Sequence, residues 1–278
     1  MAAILHPVDP ATATLLLAGR ELRLRLGSVW FWAVASTICL MAWLYGAGFL
    51  AGFETESVIV TNDPLLALNA LVTIFLGVVL GLRLAASMAW EREHRTLEIL
   101  LIGPAGWGAI LGAKLMVEIA VLALLVLVYA FYLAAAQPLG AGVIGTGELS
   151  GLLLVPVFAL PVMALGLLVG AGLGTVRAAV VVFLVLLGAL AAVEVAHALL
   201  AAQSLDRQSL AGLYARQALD RASPVLDPIS PAHALALPVR ALMLQAPLLS
   251  EQAVLPLGQS VVLVALSVIA GRARGALR

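Results

Sequence analysis

Three sets of ionisable residues stand out in a sequence that is otherwise apolar. The densest is "WEREHRTLEILLIGP", residues 90–104, where Glu91, Arg92, Glu93, His94 and Arg95 are consecutive. The second is Lys114 with Glu118 one helical turn later, and the third is Glu194 with His197, at i and i+3 on one helical face. Carboxylates beside bases can move protons, hold a cation or pair across an interface. Catalysis fits poorly. Metalloprotease chemistry needs the HExxH spacing, which is absent, as is GxGD. Nucleotide phosphates need a GxxxxGK[ST] loop, also absent, so any ATP and its magnesium must be bound by a separate subunit. "GAGLG", 170–174, lies in an apolar stretch and reads as helix packing. The lone Cys39 excludes a disulfide framework or thiolate cage, and His6, His94, His197 and His233 have no ligand-like spacing. These residues predict a protein with no catalytic site, cofactor or metal of its own.

The elements that must position these groups follow from composition. Of 278 residues, 63% are hydrophobic and 11% charged, against about 25% charged in a soluble domain. This excludes a water-soluble globule and predicts an all-α integral membrane protein in contact with lipid. Fifteen basic residues balance fifteen acidic ones, which argues against a nucleic-acid partner, since phosphate binding needs a basic excess. Six stretches reach the roughly 20 apolar residues of a spanning helix: 29–53, 64–88, 109–136, 152–174, 178–200 and 254–271. Gly172, Gly174 and Arg177 predict a tight hairpin between the fourth and fifth. Upstream, "ALPVMALGLLVGAGLG" carries small residues at four-residue spacing, the pattern of close helix packing in lipid.

Orientation follows from the basic residues. With the N-terminus in the cytoplasm, eleven lie on inner segments and four (Arg207, Arg216, Arg221, Arg240) on outer ones. The expectation is a multi-pass protein of the cytoplasmic (inner) membrane with both termini inside and no cleaved signal peptide. Residues 12–27 place Leu15, Leu22 and Leu26 against Arg20, Glu21, Arg23 and Arg25, a basic amphipathic helix of the membrane interface. Residues 201–250 form a long outer connection whose prolines rule out one continuous helix, so short interfacial or re-entrant helices are expected there.

Residues 89–102 contain no glycine or proline and are rich in helix formers. The expectation is a short amphipathic helix over 90–102 with Trp90, His94, Leu97 and Leu101 on its apolar side, turned down, and the charges turned up. As physics this is a solvated connector as readily as a contact surface. The stretch resembles the signature of ABC-2 type transporter permeases, in which E-R-E-x-G-T-L-E-x-L-L-x-x-P joins spans two and three and a G-K pair follows. Glu91, Arg92, Glu93, Thr96, Leu97, Glu98, Leu100, Leu101 and Pro104 occupy those places, and Lys114 falls ten residues after Pro104. Arg95 stands where glycine is usual, and Ala113 precedes the lysine. "AGRELRLRLGSVWF" is similar to the family's opening. "EREHR" also resembles the EExxxR of membrane CAAX-type proteases, but the adjacent glutamates and downstream histidines are missing.

The permease resemblance implies the transmembrane subunit of an exporter. It would pair with a second copy or a sister permease and be driven by cytoplasmic ABC ATPases that dock on Glu91–Glu98, the coupling helix. The alternative is a non-transporting scaffold that transmits force from the same motor, while a channel lacks a ring-forming charge pattern. The scarcity of intramembrane charge suits a hydrophobic or amphipathic cargo. Two further sets are expected near the bilayer surfaces. Lys114 and Glu118 form an inner pair. Glu194 lies seventeen residues past Arg177, about 25 Å along a helix, so it approaches the outer boundary of a core about 30 Å thick. There it either meets headgroups or, by holding His197 charged, forms a polar outer gate.

Overall fold

The computed structural model describes residues 10–56, 64–94, 96, 106–136, 149–202, 210–243 and 250–275. Among the described residues there are nine α-helices and no strand. They are α1 (Pro10–Leu26), α2 (Val29–Glu56), α3 (Pro64–Glu93), α4 (Trp107–Ala136), α5 (Leu149–Gly172), α6 (Val176–Ala202), α7 (Leu210–Leu226), α8 (Pro231–Met243) and α9 (Val254–Gly275). Six of them, α2 to α6 and α9, are long and apolar enough to cross a membrane, as the six hydrophobic stretches require. The predicted hairpin falls between α5 and α6. Thr175 caps α6 there: its Oγ1 accepts the Ala178 N–H at 3.4 Å, satisfying a donor that the first helical turn would otherwise leave unpaired.

The bundle is built around α5. Of its apolar window 72% is buried, against 22% for α6, and its most extensive neighbours are α3 and α9. The small residues foreseen in α5 are the reason α3 comes so close. A Cβ added to Gly166 would overlap the Gly81 carbonyl oxygen, and one on Gly170 would meet the Ala85 carbonyl oxygen at 2.7 Å. On the facing helix, Gly81 leaves no more room, since its Cβ would lie 2.8 Å from the Val162 carbonyl oxygen. Gly81 and Ala85 of α3 thus oppose Gly166 and Gly170 of α5 with backbones in contact, the close approach that packs helices where lipid removes the hydrophobic drive. A buried polar clasp joins α3 to α4: Tyr129 Oη donates to Asn69 Oδ1 at 3.0 Å. Thr73 and Ser87, by contrast, bond carbonyls of their own helix.

Outward faces are apolar. Val181, Val182, Val185 and Val195 of α6 and Val261, Val262 and Ile269 of α9 are exposed, a surface suited to acyl chains and costly in water. The long connection 201–250 is two short helices among its described residues. Pro231 opens α8 at its first position, where the missing N–H costs nothing. Ala232, Ala234 and Leu235 are buried, and α8 packs on α3, α5 and α6. At the opposite end α1 lies against α4. Ala18, Leu22 and Leu26 pack on the core, but Leu15 is exposed, so the expected leucine face is split.

Candidate functional site

The charged groups gather at two ends of the bundle. The first end joins α1, the last turns of α3 and the first turns of α4 and α6. Lys114, on α4, is only 5% exposed, and its Nζ lies 2.7 Å from Glu91 Oε1 and 3.2 Å from Glu21 Oε1. One turn deeper, Glu118 is 2% exposed and faces Arg83 Nε at 3.6 Å and Arg25 Nη2 at 4.0 Å. The Arg83 guanidinium also stacks over the Trp30 ring, 3.5 Å from its centroid, a cation–π contact strengthened by desolvation. Lys114 and Glu118 therefore do not form the expected pair with each other. Each has partners from α1 and α3, because a lysine preceding glutamate at i, i+4 is the weaker order on a helix and buried counter-charges are nearer.

The last turns of α3 depart from expectation in a second way. The helix of span two runs on through Trp90, Glu91 and Arg92 to end at Glu93, with His94 in a turn. Thr96 Oγ1 donates to the Glu91 carbonyl at 3.1 Å, satisfying an acceptor at the helix end. The expected orientation, apolar side down and charges up, fails at Trp90 and Glu91, while Glu93 stays exposed. Trp90 is 51% exposed and stacks with His94, centroids 4.3 Å apart. The Glu91 side chain is 12% exposed and turned to Lys114. Arg92 lies over the Trp107 ring at 5.2 Å. Glu93 Oε2 accepts the Val176 N–H at 3.0 Å, placing a carboxylate at the positive N-terminus of α6. The physical reason is burial: Lys114 sits inside the bundle and needs its counter-ion from α3, since a buried unpaired charge costs several kcal/mol. Arg95, Leu97, Glu98, Leu100, Leu101 and Pro104 lie outside the described residues.

Between these elements is a cleft of about 470 Å³, lined by Glu21, Arg25, Arg83, Trp90, Glu91 and Lys114 among others. Chemically the arrangement is a linkage. Glu91 ties α3 to α4, Glu21 adds α1, and Glu93 adds α6, so displacement of the end of α3 acts on three further helices at once. No protein-family model matches the chain, and no curated protein is significantly similar to it.

The second end centres on Glu194. Its Oε1 meets His233 Nδ1 at 3.2 Å and its Oε2 accepts from Arg240 Nη2 at 2.5 Å. His197 turns instead to Asp220 Oδ1 at 2.9 Å, so the contact expected between Glu194 and His197 is replaced by a separate pair for each. Both pairs border one small cavity, lined by Glu194, His197, Asp227 and Ser230 among others. His233 is set in place by its own helix start, where the Ser230 Oγ accepts the His233 N–H at 3.4 Å. Spacing marks Glu21 and Arg25 only as the polar face of the interfacial helix, and it does not single out Asp220, Asp227, His233 or Arg240. Ser230-Pro231 preceding His233 was the one available signal, a helix start that fixes the histidine in the first turn.

Proposed function

We propose that this chain is the transmembrane permease subunit of an ABC-2 type exporter of the cytoplasmic membrane. It works as a dimer with itself or a sister permease and is driven by separate cytoplasmic ABC ATPases. One observation carries the reading. The motif-bearing end of α3 is the continuation of a spanning helix and is wired by Glu91 and Glu93 to α4, α1 and α6. That is what a coupling segment needs: a push on residues 90–94 reaches the spans through these pairs. Glu91, Arg92 and Glu93 are, in this reading, the transmitting side, and Trp90 and His94 belong to the face offered to the motor. The α1 end is cytoplasmic, and α7 and α8 cap the outer end. Force transmission without transport uses the same wiring and is separated from export only by a cargo assay.

The test uses a Cys39→Ser background with a single cysteine replacing His94, co-expressed with an ABC ATPase from the same genome. The expected result is a disulfide or short bifunctional cross-link between position 94 and the ATPase, with ATP hydrolysis altered by the cross-link in nanodiscs. Labelling of position 94 in intact cells by a membrane-impermeant maleimide would overturn the orientation. An ATPase that neither cross-links nor changes its rate with the permease present would overturn the coupling.

A further inference from the structure

At the end of the bundle remote from α1, three potential metal ligands from three elements converge beside a cavity. Glu194 of α6, Asp227 of the α7–α8 turn and His233 of α8 each present one ligand atom, all within 4.8 Å of one another. His233 Nδ1 stands 3.2 Å from Glu194 Oε1 and 3.6 Å from Asp227 Oδ1. Around a tetrahedral ion with bonds of about 2.0–2.2 Å, ligand atoms lie roughly 3.3–3.6 Å apart. One edge of such a site, at 3.6 Å, is already at that length, and the other, at 3.2 Å, is just short of it. We propose that Glu194, Asp227 and His233 bind one divalent first-row transition-metal ion of the Zn²⁺ type, its fourth position open to the adjoining cavity.

The chemistry of the donors selects the ion class. One imidazole with two carboxylates suits zinc and its neighbours. Calcium takes about six to eight oxygens, and magnesium demands a near-octahedral, largely hydrated shell. The surroundings hold the ligands in place, as metal sites require. Arg240 occupies Glu194 Oε2 and leaves Oε1 toward His233. Gln259 of α9 donates to the Asp227 and Ser230 carbonyls at 2.8 and 3.3 Å, fixing the turn that carries Asp227. The cavity of about 50 Å³ has room for an ion with a bound water, each water occupying about 30 Å³. Ligands drawn from α6, the turn and α8 mean that the ion would clamp the α7–α8 cap onto a spanning helix.

The test uses the full chain, untagged, in detergent micelles and stripped with a chelator. Zn²⁺ is titrated calorimetrically and Co²⁺ by absorption. The expected result is one saturable Zn²⁺ site per chain and the intense d–d bands of tetrahedral Co²⁺. Asp227→Asn, which keeps the side-chain size, and His233→Ala should each weaken Zn²⁺ at least about tenfold, since even residues behind the ligands cost that much. His94→Ala, whose imidazole stacks on Trp90 at the opposite end of the bundle, should bind normally. A wild-type chain that takes up no Zn²⁺, or an Asp227→Asn variant that elutes as folded protein and binds Zn²⁺ like the wild type, would overturn the site.

Discussion

Replacing Lys114 with methionine tests whether the α1–α3–α4 linkage is a real mechanical joint. Methionine keeps the length and apolar stem and removes only the charge. In the folded protein two carboxylates then face one another across the vacated ammonium. Glu91, at 12% exposure, is largely desolvated, whereas Glu21, at 30%, is partly hydrated already. Breaking a buried pair by removing one partner costs about 3–5 kcal/mol. The partial exposure of Glu21 sets the expected loss near the lower bound, about 3 kcal/mol. Neutralising the buried acid as well, in Lys114→Met/Glu91→Gln, removes most of that penalty and should return roughly 2 kcal/mol, the coupling expected of groups in one network. The assay is thermal unfolding of the full chain in one detergent, following the loss of helical circular dichroism. At about 2–4 °C per kcal/mol for a chain approaching this size, the single variant should melt roughly 6–12 °C below wild type and the double variant should recover more than half. A Lys114→Met protein melting within 2 °C of wild type would mean that the carboxylates rehydrate freely, and the linkage would then transmit nothing.

The close crossing of α3 and α5 gives a steric prediction: Gly166→Ala should cost about 1–3 kcal/mol as an overpacking substitution, read as a lowered melting point. Gly188→Ala, on α6 with nothing within 4 Å of its added methyl, should be neutral or raise it, because alanine is the better helix former by about 1 kcal/mol. Equal effects of the two would refute the backbone contact. Tyr129→Phe should lower stability by about 1–3 kcal/mol, since it leaves the buried Asn69 Oδ1 without its donor. Asn69→Leu added to it should restore part of the loss, and no change in either variant would mean that the clasp is not formed.

Composition and periodicity alone determined the class of this protein. With 11% charged residues the chain must find a solvent other than water, and its six apolar runs became the six candidate spans because lipid admits only backbone that satisfies itself within a helix. Small residues at four-residue spacing in α5 announced a close crossing, and Gly166 and Gly170 make it. These features are local, and local sequence carries them. Electrostatic partners are different. Lys114 has a glutamate one turn away on its own helix, yet its ion pairs come from Glu91 on α3 and from Glu21 on α1, a helix that chain order does not show to be its neighbour. Glu194 and His197 share a helical face, yet each is paired with a residue of α7 or α8. The inward turn of Glu91 at the α3 terminus has the same origin: a buried ammonium draws its counter-charge toward the bundle. Charge in a low-dielectric interior is satisfied by whichever counter-charge the packed bundle brings nearest, so only the tertiary structure decided which residues act together.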